Sequence, residues 1–318
     1  MTKTLLGNTN LNIVPLVFGG NVFGWTIDEK TSFEILDAFV GAGFNAIDTA
    51  DVYSAWAPGN QGGESETILG NWFKARPGIR DKVTLFTKVG SDMGSPDKKG
   101  LSKRWIMQAV EDSLHRLQTD YIDLYFSHWP DDTPYEETLS AYDELLKQGK
   151  IRSIGASNLN AVQLNQSLEK ARANKLPTYQ VLQPEYNLFD RDGFDRDLQG
   201  LCIKENIGVV TYYSLASGFL SGKYRSQQDL SKSQRGDGIG KYLTDKGFRI
   251  LSVLDEVSGA HNVQPAEVAL AWLVAQQAVT SPIASATKAH HIESFAKAME
   301  LKLSEQELAA LTQAGETV

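Results

Sequence analysis

The sequence predicts a single (β/α)8 barrel, an α/β fold in which eight parallel strands alternate with helices around a closed core. Short apolar or β-branched runs alternate with amphipathic stretches at helical spacing along almost all of the 318 residues. Eight such strand and helix units are visible in the sequence. No linker rich in Pro, Gly or Ser divides them, so we expect residues 1–318 to form one domain.

The first segment of the chain departs from this alternation and is typical of a β-hairpin. Its strands are expected at residues 3–6 and 11–14, with the turn at Gly7 and Asn8. We expect the hairpin to cap one end of the barrel. The barrel strands themselves are predicted near residues 16–18, 46–48, 83–88, 122–126, 151–155, 179–182, 208–212 and 279–284.

Helices are predicted between these strands, because apolar residues recur there at helical spacing. One such stripe consists of Ile106, Val110, Leu114 and Leu117. A further helix is predicted over residues 193–205. Two extra helices, near residues 246–260 and 265–277, are expected before the last strand.

An open doubly wound sheet is the alternative fold for alternating strands and helices. A dinucleotide-binding sheet of that kind usually carries Gly-x-Gly-x-x-Gly after its first strand. The spacing of Gly19, Gly20 and Gly24 does not fit that motif. The barrel is therefore favoured.

Composition and charge exclude several functions. Lys and Arg number 31 against 39 Asp and Glu, and the net charge of -8 disfavours a general nucleic-acid-binding protein. The longest apolar run, residues 268–275, is far shorter than the roughly 18–20 residues that cross a bilayer. The first residues lack the pattern of a signal peptide, and Cys202 is the only cysteine, which excludes an internal disulfide. We therefore expect a soluble cytoplasmic protein with neither a nucleic-acid nor a membrane partner.

Polar side chains follow the ends of several predicted strands. The active site of such a barrel lies at the C-terminal ends of the strands, so these side chains are the candidates for chemistry. Taken singly, each of these residue types is more often structural. Their convergence on one face indicates a site. The candidates are Asp48, Tyr53, Lys88, His128, Ser157, Asn158, Gln183 and Tyr212.

The first four of these side chains suit the reduction of a carbonyl group. A phenol has an ordinary pKa of about 10, and a neighbouring ammonium group favours the phenolate. We therefore expect Lys88 to lower the pKa of Tyr53, and Asp48 to keep Lys88 protonated and oriented. His128 is expected to donate a hydrogen bond to the substrate oxygen. Since no side chain can supply a hydride, a bound cofactor must supply it.

The motifs around these residues resemble those of the aldo-keto reductase superfamily in order and spacing, from about residue 7 to residue 307. The resemblance implies the barrel fold and the NAD(P)H-dependent reduction of aldehydes or ketones to alcohols. The motifs are Asp48-Thr-Ala-x-x-Tyr53, Gly63-Glu-Ser-Glu66, Thr87-Lys88, Ser113-Leu-x-Arg116, Asp120-Tyr-Ile-Asp-Leu-Tyr125 with His128, and Gly149-Lys-Ile-Arg-Ser-Ile-Gly155-x-Ser-Asn158.

The same resemblance implies a role for each candidate residue. Tyr53 is expected to be the general acid, tuned by Lys88 and Asp48, and His128 is expected to orient the carbonyl. The remaining candidates are implied to contact the cofactor. They are Ser157, Asn158 and Gln183 at the nicotinamide carboxamide, Tyr212 stacked on the nicotinamide ring, Leu215, Gly218 and Lys223 in the pyrophosphate loop, and Ser285, Lys288 and His291 near the adenosine 2′-phosphate.

Two segments depart from the pattern of the family. Tyr212-Tyr-Ser-Leu stands where many members have Tyr-Ser-Pro-Leu. After the last strand, His291 stands where a basic residue is usual, and Ser294-Phe295 replaces a usual Glu-Asn pair. Because Lys288 and Ser285 can still bind a phosphate, we expect NADPH to be favoured over NADH.

Three tryptophans, Trp25, Trp56 and Trp129, each follow a predicted strand. Together they are the candidate walls of an apolar substrate pocket above the reacting groups. Such walls favour small-molecule aldehydes or ketones with aromatic or aliphatic bodies over small charged acids.

Three other functions stay open on the sequence. A Schiff-base lyase would use Lys88 as a neutral amine, which an Asp partner opposes. A cofactor-binding sensor or regulatory subunit would keep the same barrel, as the potassium-channel β-subunits of the superfamily do. A metal-dependent hydrolase is disfavoured and no metal is expected, because His115 and His261 lie on predicted helices and leave only His128 well placed.

Overall fold

Ten strands are present in the computed structural model, which describes residues 1–232 and 238–316. They are β1 (Thr4–Leu5), β2 (Asn12–Ile13), β3 (Val17–Gly19), β4 (Ala46–Asp48), β5 (Thr84–Val89), β6 (Ile122–Ser127), β7 (Ile151–Ser157), β8 (Val181–Gln183), β9 (Gly208–Thr211) and β10 (Val279–Ala284). The last eight form a closed parallel barrel in the order β10-β3-β4-β5-β6-β7-β8-β9. This confirms the predicted (β/α)8 barrel and excludes an open sheet.

The hairpin of β1 and β2 closes the N-terminal end of the barrel, as predicted. Thr4 pairs with Ile13 in an antiparallel register. Leu6 and Ile13 are fully buried and belong to the same apolar cluster as the residues inside the barrel. Gly7 has a φ of +54, and a Cβ atom there would lie 2.2 Å from the backbone nitrogen of Gly208. The turn therefore requires glycine.

A regular alternation of side chains organises the inside of the barrel. Successive residues of a strand point to opposite faces, so residues i and i+2 share a face. The inward apolar layer includes Ala46, Phe86, Phe126, Val181, Val210 and Ile283. Two positions further along the chain come Asp48, Lys88, His128, Gln183, Tyr212 and Ser285. An apolar floor thus lies under a polar layer at the C-terminal ends of the strands.

Helices surround the barrel and bury their apolar stripes against it. They are α1 (Glu29–Gly41), α2 (Glu64–Ala75), α3 (Lys103–Leu117), α4 (Tyr135–Lys147), α5 (Ala161–Asn174), α6 (Asp192–Asp195), α7 (Leu198–Glu205), α8 (Asp245–His261), α9 (Pro265–Val274), α10 (His290–Glu300) and α11 (Glu305–Ala314). Within the described residues, none of the helices has both the length and the apolar character needed to span a membrane.

The helix predicted over residues 193–205 is wrong as a single element. The structure has two short helices there, α6 and α7, with a bend between them at Asp197. Phe194 of α6 and Leu198 of α7 are both buried in the core. The two extra helices predicted before the last strand are confirmed as α8 and α9.

Gly155 in β7 offers a direct test of packing inside the barrel. A Cβ atom at this position would lie 2.4 Å from Cε1 of Phe126. We expect Gly155→Ala to lower the free energy of unfolding by about 1–3 kcal/mol, because the packed ring has to shift. The measurement is urea unfolding followed by circular dichroism.

Gly259→Ala in α8 is the matched control. Nothing lies within 4 Å of its Cβ position, so alanine there is expected to stabilise the helix by about 0.4–1 kcal/mol. Equal stability of the two variants would contradict the packing argument for Gly155.

Candidate active site

A buried ion pair lies at the centre of the polar layer. Lys88 Nζ is 2.8 Å and 2.7 Å from the two carboxylate oxygens of Asp48. The same nitrogen donates to the carbonyl oxygen of Thr49 at 2.8 Å and to Tyr53 Oη at 2.8 Å. Lys88 is fully buried and Asp48 nearly so. The ammonium group is therefore held in one orientation by four oxygen atoms.

The phenol of Tyr53 receives a hydrogen bond from Lys88 and makes one to Asp48. Tyr53 Oη donates to Asp48 Oδ2 at 3.2 Å. Burial raises the pKa of Tyr53 well above the ordinary value of a phenol, and the charge of Asp48 raises it further. The expected lowering by Lys88 is therefore wrong as a net effect, because burial and the carboxylate outweigh the ammonium. Tyr53 consequently holds its proton at neutral pH.

The imidazole of His128 is electrically neutral. Burial lowers the pKa of His128 well below the ordinary 6.5, and the positive charge of Lys88 lowers it further. Its Nδ1 atom lies 2.9 Å from the hydroxyl of Ser91, and its ring centroid is 6.0 Å from that of Tyr53. When Ser91 donates to Nδ1, the ring proton is on Nε2, where it is available as a donor.

Three polar residues at the C-terminal ends of β7 and β8 connect to this centre. Gln183 Nε2 donates to Asp48 Oδ1 at 3.0 Å, and the hydroxyl of Ser157 donates to the carbonyl of Gln183 at 2.8 Å. Asn158 donates to the carbonyl of His128 at 2.9 Å and accepts from Tyr212 Oη at 2.7 Å. The structure thus brings the candidate residues at the ends of β7, β8 and β9 together in a single network.

The segment after β9 contains tight turns with left-handed backbone. Residues 216–221 form short helical turns in which Ser217 and Gly218 have φ values of 57 and 100. Lys223 Nζ lies 3.7 Å from the Cβ position of Gly218, so an ammonium group covers the glycine. Leu215 directly precedes these turns. The backbone N–H groups of Ala216 and Gly218 donate within the segment, to the carbonyl oxygens of Tyr213 and Leu215.

The candidate residues after β10 divide into two groups. The hydroxyl of Ser285 lies 2.8 Å from the carbonyl of Gly19 and 2.8 Å from Asn21 Oδ1, so it connects β10 to β3. Lys288 is exposed, whereas the ring of His291 is half-buried. Phe295 is buried in the core. Phe295, which stands where the family usually has Asn, is therefore packed in the core and away from any ligand.

The three tryptophans lie around the catalytic candidates. The ring centroids of Trp25 and Trp56 are 5.6 Å apart, and those of Tyr53 and Trp56 are 6.0 Å apart. Trp129 stacks on His128 at 5.7 Å. Trp56 and Trp129 are each about half exposed. Trp56 is therefore a half-exposed neighbour of Tyr53, and Trp129 is a half-exposed neighbour of His128.

Left-handed backbone is concentrated at this face of the barrel. Of the non-glycine residues with positive φ in the described part of the chain, one group ends helices: Gln118, Lys175, Asn206 and Asn262. The other group lies at the C-terminal face: Ser54, Asn158, Tyr213, Ala216 and Ser217. Strain of this kind costs of order 1–3 kcal/mol per residue and clusters where function requires it.

Sequence reasoning missed two residues of the site. Ser91 fixes the ring of His128, but a serine in a loop carries no signal of that contact. Tyr213 follows Tyr212 with its ring half exposed and 5.3 Å from that of its neighbour. The doubled tyrosine was the visible signal, since it marks the departure from the family's Tyr-Ser-Pro-Leu.

A second buried ion pair supports the barrel wall outside the site. Arg116 Nε donates to Glu66 Oε2 at 2.7 Å, and Thr87 donates to the other oxygen at 2.6 Å. Glu66 is completely buried. Gly63 leaves room for the arginine, since a Cβ atom there would lie 2.6 Å from Arg116 Cδ. The Gly-Glu-Ser-Glu motif is thus structural: it connects α2, β5 and α3.

A family model places this geometry among known proteins. The model described as the aldo/keto reductase family matches residues 15–316. The chain belongs to that family, whose members are oxidoreductases that use nicotinamide cofactors.

Three curated relatives illustrate the range of the family. The uncharacterized oxidoreductase YrpG of Bacillus subtilis is 32% identical over 98% of this chain and 95% of its own length. The norsolorinic acid reductase of Aspergillus flavus is 31% identical over 96% of this chain and 79% of its own. A probable voltage-gated potassium channel subunit beta of Arabidopsis thaliana is 31% identical over 93% and 90%.

We expect Arg116→Met to destabilise the fold by about 3–5 kcal/mol, because it leaves the buried carboxylate of Glu66 without its cation. Arg76→Met is the control. Its ion pair with Asp37 is about 40% exposed on both sides, and the expected loss is below about 1 kcal/mol. Chemical denaturation of both variants checks this. A loss at Arg116 no larger than that at Arg76 would contradict the structural role of the pair.

The titration of His128 is a second check. Because its folded pKa lies below the unfolded value of about 6.5, the folded state binds fewer protons. The contribution of a neutral His128 to stability is complete above about pH 6.5 and is lost as the pH falls below that value. We expect the NMR resonances of His128 to titrate well below the ordinary histidine pKa of about 6.5. A midpoint at the ordinary value would contradict the buried environment.

Proposed function

We propose that this protein is an NADPH-dependent reductase that converts aldehydes or ketones to alcohols. The observation that supports this most directly is the position of Tyr53 Oη, 2.8 Å from Lys88 Nζ and 3.2 Å from Asp48 Oδ2. A protonated phenol beside a buried ammonium is a proton donor whose anion is stabilised as it forms. Residues 1–318 together are proposed to act as one domain.

In the proposed reaction, a reduced nicotinamide, when held by the residues of the polar layer, would supply the hydride that the carbonyl carbon accepts. Tyr53 donates its proton from Oη to the carbonyl oxygen. The positive charge of Lys88 stabilises the phenolate that remains, and Asp48 keeps the ammonium in place. His128, neutral and fixed by Ser91, donates a hydrogen bond from Nε2 to the same oxygen as negative charge develops there.

The cofactor contacts are proposed from the polar layer and the loop after β9. Ser157, Asn158 and Gln183 would hold the nicotinamide carboxamide, with Tyr212 against the ring. The contacts to the phosphates and the adenosine would come from Leu215, Gly218, Lys223, Ser285, Lys288 and His291. NADPH is proposed over NADH because Lys223, Lys288 and His291 form a group of basic side chains.

The substrate is proposed to be an aldehyde or ketone with an apolar body. Trp25, Trp56 and Trp129 offer aromatic surface around Tyr53 and His128. Aromatic walls with a few convergent polar groups are typical of pockets for such molecules. The norsolorinic acid reductase among the relatives is consistent with this class.

Two alternative functions are less well supported. A Schiff-base lyase needs a neutral, accessible amine, whereas Lys88 Nζ is buried against a carboxylate. A cofactor-binding sensor has support from the channel-subunit relative. The complete set of Asp48, Tyr53, Lys88 and His128 favours turnover over sensing.

Tyr53→Phe tests the proposed acid. With NADPH and an activated aromatic aldehyde such as 4-nitrobenzaldehyde, we expect the variant to lose about 10²–10⁴-fold in kcat/KM while binding the cofactor normally. Loss of the reduced-nicotinamide absorbance measures the rate. Quenching of tryptophan fluorescence measures cofactor binding.

Tyr135→Phe on α4 is the control, and it is expected to keep the full rate. Consumption of NADPH at equal rates by the wild type and Tyr53→Phe would contradict the role of Tyr53. Cofactor binding without aldehyde-dependent consumption would instead support the sensor.

A further inference from the structure

Tyr213 directly follows Tyr212, the residue proposed to lie against the nicotinamide ring, and its backbone conformation is unusual. Its φ is +51, in the left-handed region that residues with a Cβ atom rarely adopt. Strain of this kind persists only where the surrounding structure imposes it. The side chain is 49% exposed. A large aromatic ring is thus held at the C-terminal face of the barrel, and the proposed catalytic and cofactor contacts do not account for it.

Hydrogen bonds on both sides of Tyr213 impose its conformation. Its carbonyl oxygen accepts from Asn187 Nδ2 at 3.1 Å and from the backbone N–H of Ala216 at 2.7 Å. Asn187 is completely buried, and its own Oδ1 accepts from two backbone N–H groups. On the other side of the turn, Ser214 Oγ donates to the carbonyl oxygen of Thr211 at 2.9 Å. The backbone of Tyr213 is therefore fixed by its neighbours.

The residue after Tyr213 permits this conformation. The sequence Tyr212-Tyr-Ser-Leu stands where many members of the family have Tyr-Ser-Pro-Leu. A proline pushes the residue before it towards extended backbone, and Ser214 places no such restriction on Tyr213. The same departure puts an aromatic ring where a serine is usual. The two changes together give this chain a ring in a left-handed turn.

The ring of Tyr213 packs edge-on against the ring of Tyr212. The two ring centroids are 5.3 Å apart, and the ring planes cross at 65°, which is a favoured geometry for an aromatic pair. The hydroxyl of Tyr212 donates to Asn158 Oδ1 at 2.7 Å. Tyr212 is therefore held at its hydroxyl by Asn158 and at its ring by Tyr213. Together these contacts restrict the plane of the Tyr212 ring.

We propose that Tyr213 is a positioning residue whose ring fixes the plane of Tyr212 against which the nicotinamide of the cofactor stacks. The inference rests on the proposed binding of a nicotinamide cofactor at Tyr212. Hydride transfer requires the two reacting carbon atoms to be close together and aligned, and a misplacement of about 1 Å can cost about a hundredfold in rate. A Tyr212 ring that cannot tilt therefore improves both the binding of the nicotinamide and the rate of the proposed reaction.

The test compares two ligands that differ in the nicotinamide alone, NADP⁺ and 2′-phospho-ADP-ribose. Isothermal titration calorimetry of the full chain measures both Kd values. Tyr213→Asn removes the ring and keeps a residue type that adopts left-handed backbone readily. We expect it to raise the Kd of NADP⁺ about 2- to 12-fold, the effect of losing one aromatic contact. The Kd of 2′-phospho-ADP-ribose is expected to stay at the wild-type value.

Tyr213→Phe is the matched control, because it keeps the ring and removes only the hydroxyl group. We expect it to bind NADP⁺ like the wild type. Tyr213→Gly adopts positive φ without strain, and it repeats the loss of the ring if the asparagine variant does not fold. With Tyr213→Asn, the single-turnover rate of aldehyde reduction at saturating NADPH is expected to fall about tenfold. The urea midpoint of unfolding is expected to stay at the wild-type value.

Three results would overturn the inference and leave the proposed function standing. One is equal weakening of both ligands by Tyr213→Asn, because the residue would then shape the loop after β9 and not the position of the nicotinamide. The others are wild-type affinity of Tyr213→Asn for NADP⁺, and a loss with Tyr213→Phe as large as that with Tyr213→Asn. Failure of the wild type to bind either ligand would overturn the proposed function as well.

Discussion

The buried ion pair between Lys88 and Asp48 is the interaction on which the rest of the site depends. Taking two charges out of water is costly, and the cost is offset only when both are fully hydrogen-bonded. Here the ammonium contacts Asp48, Thr49 and Tyr53, and Gln183 donates to the carboxylate. The hydrogen bonds that offset the cost of burying Lys88 and Asp48 also orient the phenol of Tyr53. Stability and the proposed chemistry therefore share one set of contacts.

The barrel makes this burial possible because the inward-facing residues of its strands form two layers, an apolar one and, two residues further along each strand, a polar one. The lower layer of inward side chains is apolar and buried, and it lies directly below the polar layer. Gly155 leaves room for Phe126 in the lower layer. Two residues later on the same strand, Ser157 belongs to the polar network. The two-residue spacing along the strand thus connects the packing of the apolar layer with the position of the polar side chains.

Much of this arrangement could be predicted from the sequence, because it depends on local periodicity. The positions of Asp48 and Lys88 in the last residues of their strands follow from apolar runs, and parallel strands bring their C-terminal ends to one face. The break between α6 and α7 could not be predicted from the sequence, because the apolar residues keep their helical spacing across the bend at Asp197.

Long-range contacts were beyond the reach of sequence patterns. The contact between Ser91 and His128, and the bond between Tyr212 and Asn158, join residues far apart in the chain. The pKa of Tyr53 was expected to move in the wrong direction for the same reason. Counting charges along the sequence reveals the nearby ammonium, but not the depth of burial that outweighs it.

A double-mutant cycle of Lys88→Met and Tyr53→Phe tests the central claim most directly. If Lys88 acts on the reaction through the hydroxyl of Tyr53, Lys88→Met lowers kcat in the wild-type background and has little further effect once Tyr53→Phe is present. The measured quantity is the single-turnover rate of aldehyde reduction at saturating NADPH, with cofactor affinity and unfolding determined for each variant. Losses that simply multiply would mean that the two side chains act independently, and would contradict the account.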